Sequence, residues 1–160
     1  MGGASYDAPN EPEAVTFQHG KDSKFGSYLT IDASGRVRLD YDLEPACQIA
    51  DAFEISFRPT ATSVFYARLG ASGVQGAHTT RWICYKLGRS APERLDPSEW
   101  TVYTQPVEVH GDWVRVHCDV GDQFKKSFGL EGMTLEHLSG FRLRGSMSIA
   151  SITLCGPAFK

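Results

Sequence analysis

The feature that most constrains this chain is an alternation of apolar and polar residues, with a period of two, that returns in short runs. Val37-Arg38-Leu39-Asp40-Tyr41-Asp42-Leu43 places Val37, Leu39, Tyr41 and Leu43 on one side and charges on the other. Successive side chains of a strand point to opposite faces, so such a run is a half-buried strand and cannot bury one stripe of a helix. The same parity recurs in Phe53-Glu54-Ile55-Ser56-Phe57-Arg58 and in Trp113 to Val120, where Val114, Val116, Cys118 and Val120 form the apolar stripe. Two further runs, Ser63 to Leu69 and Arg81 to Leu87, are rich in aromatic and branched residues on both sides, as central strands or strands with a working outer face would be.

Between the runs lie breakers. The small-residue stretch Gly70 to His78 and the stretch containing Pro92, Asp96 and Pro97 read as loops. Helical patterning is confined to Asp122–Phe128 and to Thr134–Leu138, each too short to form a layer. The expectation is an all-β fold: an antiparallel β-sandwich or jelly roll of about eight strands with one or two short helical turns. Residues 1–14, with Pro9, Pro12 and few apolar side chains, read as a flexible leader, and 15–157 as one domain. A chain of 160 residues suffices for one core.

Charge and motif content narrow the function classes. A net charge of −3 gives no general attraction to phosphate backbones or anionic lipids, so neither nucleic acid nor membrane is an expected partner. No run approaches the ~18 apolar residues of a membrane helix, and the N-terminus lacks the basic and apolar regions of a signal peptide. Cys47, Cys84, Cys118 and Cys155 form no Cys-x-x-Cys pair, which disfavours a zinc knuckle or a thioredoxin-like motif. They read as small buried hydrophobes in a reducing, cytoplasmic compartment, with two disulfides as the other arrangement.

No cofactor is implied. His19, His78, His110, His117 and His137 make no His-x-His or His-Glu-x-x-His pattern, and no serine-hydrolase, Walker or dinucleotide fingerprint occurs. Asp40 and Asp42, the nearest approach to a glycosidase-like acid cluster, read as a solvated strand face. What remains is a supply of planar side chains placed outward: Tyr66, Arg68, Arg81, Trp82, Tyr85 and Arg142 as the candidate ligand-binding set, with Trp113, Arg115 and Arg144 of similar parity. Aromatic rings suit the apolar face of a pyranose and charged groups its hydroxyls. The same composition suits a protein interface.

Gly111-Asp112-Trp113-Val114-Arg115-Val116, then Gly140-Phe141-Arg142-Leu143-Arg144-Gly145 and Ile149-Ala150-Ser151-Ile152-Thr153-Leu154, resemble the closing strands of galactose-binding-like jelly rolls, a superfamily that includes many carbohydrate-binding modules. The resemblance spans 111–154. It implies a non-catalytic module for carbohydrate, with docking to another protein domain as the alternative. The chain has no asparagine after Asn10, whereas sugar-binding members use asparagine on hydroxyl pairs; arginine in that role favours acidic sugars. Asp22 and Asp32 are too isolated for the calcium loop of such domains. A third reading is an enzyme with a rim site joining His78, His110 or Asp112 to Arg68 or Arg81. Oligomeric state is left open.

Overall fold

A computed structural model describes residues 4–7, 15–24, 26–33, 38–47, 51–60 and 63–155. In chain order the first strands are β1 (Ala4–Asp7), β2 (Val15–Asp22), β3 (Gly26–Ala33), β4 (Arg38–Cys47), β5 (Ala52–Pro59), β6 (Val64–Ser72) and β7 (His78–Leu87). Then come β8 (Glu93–Asp96), β9 (Glu99–Thr104), β10 (Pro106–His110), β11 (Trp113–Cys118), helix α1 (Val120–Lys125), a 3₁₀ turn (Phe128–Glu131), β12 (Thr134–Arg144) and β13 (Met147–Cys155).

The strands form two sheets, a seven-stranded one in the order β1-β4-β12-β6-β7-β9-β8 and a six-stranded one in the order β10-β11-β5-β13-β3-β2. Within them, β4-β12-β6-β7 and β3-β13-β5-β11 are antiparallel quartets. The chain enters these quartets alternately from β3 to β6. That winding is an eight-stranded jelly roll, with β1, β2, β8, β9 and β10 added at its edges. The sandwich expectation therefore holds with more strands than the sequence suggests, and one added pair, β7 with β9, is parallel.

Local expectations change in three places. Thr134–Leu138 is strand, because its backbone groups pair with Ser72 to Leu69 of β6, and that tertiary pairing overrides the local helical pattern. The expected loop from Gly70 shrinks to a hairpin, since β6 runs on to Ser72 and β7 begins at His78. Within the expected leader, Ala4–Asp7 pairs with Arg38 to Tyr41; its other residues lie outside the described set.

The core lies between the sheets. Phe53, Phe57, Phe65, Tyr85 and Phe141 are almost fully buried there, with Phe53 edge-on to Phe141 at 4.9 Å and Phe65 stacked on Tyr85 at 5.2 Å. Such pairs add roughly 0.5–1.5 kcal/mol each beyond the area they bury. Helix α1 starts where Asp119 accepts from the Asp122 amide at 3.1 Å, and it delivers Val120 and Phe124 to the core; Phe128 follows from the 3₁₀ turn. No helix among the described residues is long and apolar enough to cross a membrane.

Candidate functional site

Strand parity divides the seven-stranded sheet sharply. Phe65, Ala67 and Leu69 of β6 point into the core, so Tyr66 and Arg68 point away from it. Pairing then sets their neighbours. One row across the outer face reads Asp40, Arg142, Tyr66, Cys84, Thr101, and the next reads Asp42, Gly140, Arg68, Trp82, Glu99.

The side chains on these rows lock together. Arg142 donates from Nε and Nη2 to Asp40 Oδ1 and Oδ2 at 2.6 and 3.0 Å, a two-point pair that fixes the guanidinium plane. That plane lies 4.0 Å from the centroid of Trp82, close enough for a strong cation–π contact. Tyr66 meets the same indole edge-on at 6.1 Å, and Arg144 lies 5.7 Å from the Tyr66 ring. Arg68 reaches across Gly140 to Asp42 at 2.6 Å while donating to Ser139 Oγ and O at 3.0 and 2.9 Å. A Cβ on Gly140 would stand 2.9 Å from Arg68 Nη2 and 2.4 Å from Tyr41 O, so the glycine is the gap through which that arginine passes.

Titration follows burial. Burial pushes the Tyr66 hydroxyl up to about 12, with the Cys84 charge adding to it. The Cys84 thiol is raised by the same burial, and Cys118 is raised well above its usual value, so neither is a thiolate nucleophile at neutral pH. Cys84, Cys118 and Cys155 are free thiols; the Cys47 side chain lies outside the described residues. Glu99 is raised by burial and then by the charge of Asp96, while hydrogen bonds from Ser98 hold Asp96 low.

Of the six expected site residues, Tyr66, Arg68, Trp82 and Arg142 come together on this face, though Tyr66 is itself only 7% exposed. Tyr85 and Arg81 do not join them. Tyr85 is 1% exposed and core-facing, opposite Phe65, with its hydroxyl donating to Gln123 Oε1 at 2.7 Å. Arg81 is opposite Leu69 on the core side, where it donates to Thr79 Oγ1 at 2.9 Å and lies 6.0 Å from the Phe128 ring. A run that is apolar on both sides carries no parity of its own; the ladder supplied it.

Sequence reasoning missed Asp40, Asp42, Gly140 and Glu99. The two aspartates are partners of the arginines rather than a solvated face, a correction the charge alternation of β4 alone could not make. Of the expected rim residues, His78 is bound to Glu136 at 2.9 Å, Asp112 lines a surface depression with Arg58, and Arg68 and Arg81 face opposite sides of their sheet. No cluster of three or more His, Cys, Asp or Glu able to hold a metal occurs among the described residues.

No protein-family model matches the chain, and no curated protein does. Among solved structures it is similar to the enzymatically active domain of tailspike protein 4 of bacteriophage CBA120, at 12% identity and a TM-score of 0.47. That likeness covers 96% of this chain, which spans 19% of the length of the tailspike chain.

Proposed function

We propose that this chain is a non-catalytic binding module whose ligand is a carbohydrate, held on the outer face of the seven-stranded sheet. The observation that carries the reading is the half-buried Trp82, its indole plane fixed by Arg142 at 4.0 Å and Arg142 fixed in turn by Asp40. A ring and its polar neighbours held in place before the ligand arrives lose little entropy on binding. The jelly-roll order agrees with the galactose-binding-like resemblance of 111–154, which supports the same reading.

Charge pairing selects the kind of sugar. Arg142 and Arg68 are already neutralised by Asp40 and Asp42, so the face favours a neutral glycan over the uronates or sulfated sugars that unpaired arginines would suit. The test is a glycan array followed by calorimetry on the best neutral oligosaccharide. Trp82→Ala is expected to weaken binding by about tenfold or more, a loss of about 1.4 kcal/mol. No binding to any glycan, or equal binding by wild type and Trp82→Ala, overturns the reading.

Docking of another protein domain is favoured by a different feature. The edge strand β10 leaves Val107 and Val109 61% and 63% exposed. An exposed apolar edge can accept a partner strand. Sedimentation velocity on wild type and Val109→Lys tests it: self-association lost in the variant supports this surface, and identical monomers remove a second copy as its partner.

A further inference from the structure

We propose that the space between the sheets beside β13 is a second binding site, which takes a saturated acyl or alkyl chain. A cavity of about 360 Å³ lies there, walled by side chains including Leu29, Tyr41, Leu143, Ile149, Ile152 and Leu154. Among the described residues of its wall, the side-chain hydroxyl groups belong to Tyr41 and Ser151, and the other lining side chains are hydrocarbon.

The opening follows from strand pairing. β13 is bonded to β3 only over Met147 to Ile149, although β3 itself stays paired with β2 as far as Gly26. Between Ile149 and Ser151, β13 shifts register against β5 and then follows β5 to Cys155. Past that bulge the described residues of β3 and β13 share no ladder. On the facing sheet, β12 shifts register against β4 between Leu138 and Gly140. A sheet that parts at a bulge leaves inward side chains without neighbours, and Leu29, Ile149, Ile152 and Leu154 are accordingly only half-buried.

The chemistry of the walls chooses the occupant. Water finds almost no hydrogen-bond partners there, and an engineered apolar cavity of roughly 150 Å³ stays dry yet takes up benzene. The volume falls within the roughly 300–1,000 Å³ range of ligand pockets. Walls from both sheets leave room for a slender hydrocarbon, with the two hydroxyls able to meet one polar end. The site is opposite in chemistry to the Trp82 face, from which the sheet separates it.

The test uses the full chain with N-phenyl-1-naphthylamine, a dye that brightens in apolar surroundings, and decanoate as competitor. Saturable dye binding at one site, displaced by decanoate, is expected, with about tenfold weaker affinity in Ala150→Trp, whose indole fills the cavity. Trp82→Ala is expected to keep wild-type dye affinity, which separates this site from the glycan face. Should Ala150→Trp fail to fold, methyl NMR of the wild-type chain decides: decanoate must shift the Ile149, Ile152 and Leu154 methyls and leave Leu69 unmoved. Dye binding that does not saturate, or decanoate shifts spread evenly over the methyls, overturns the proposal.

Discussion

The outer face of the six-stranded sheet carries the same kinds of side chain as the outer face of the seven-stranded one. Arg58 lies 5.4 Å from the centroids of both Tyr28 and Trp113, as Arg142 lies on Trp82. Exposure and anchoring differ. Trp113 is 3% exposed beneath its arginine, and Arg58 donates to a hydroxyl, Ser148 Oγ at 3.1 Å. Trp82 stays half-buried, and Arg142 is held by both oxygens of a carboxylate. An arginine over an aromatic ring can thus roof a packed residue on one face and present a platform on the other. Composition does not separate the two roles; the accessible area of the ring does.

The largest expected effect breaks this comparison at its buried end. Trp113→Ala should cost about 3–5 kcal/mol, since it empties a packed site, whereas Trp82→Ala should cost about 1 kcal/mol. Urea unfolding measures both. Equal losses would mean that the rings do the same work. Next, Gly140→Val should cost about 1–3 kcal/mol by forcing its side chain into Arg68 and the Tyr41 carbonyl. Glycan affinity should fall with it if the Arg68–Asp42 pair shapes the platform.

Asp40→Asn sharpens the comparison, because it removes the counter-charge that anchors Arg142. Both partners are mostly buried, at 16% and 22% exposure, so a loss of about 1–2 kcal/mol is expected. The variant should also gain affinity for uronate-bearing sugars over neutral ones on the same array, and an unchanged ranking would disprove the charge argument.

The smallest effect concerns Glu99. Its carboxyl is raised in the fold above the ordinary value of 4.5, chiefly by burial, so it favours folding at low pH. That contribution is lost as pH rises through the folded-state value. The stability of Glu99→Gln relative to wild type should therefore increase between about pH 4 and pH 7, read from thermal midpoints. A flat difference would show that burial of the charge carries no cost.

Much of the architecture was legible because strand parity is local. The stripe Val114, Val116, Cys118 did turn inward, with Arg115 and His117 outward on the same strand. The candidate site was legible only in part. Tyr66 and Arg68 share a parity that the run Ser63 to Leu69 allows but does not impose, and the run Arg81 to Leu87 leaves the core-facing side of Tyr85 unfixed for the same reason. Trp82 and Arg142 were identifiable as planar groups, yet their contact was not.

By itself the sequence determined that the chain is a stack of half-buried strands, and that Phe53, Ile55, Phe57, Val114, Val116 and Cys118 face inward, because a period of two is written in neighbouring residues. Only the tertiary structure decided which outward residues meet. Asp40 and Arg142 stand 102 positions apart, and Arg68 finds Asp42 across Gly140 because β4, β12 and β6 lie side by side. Strand order is set by long-range pairing, and the platform around Trp82 is a product of that order.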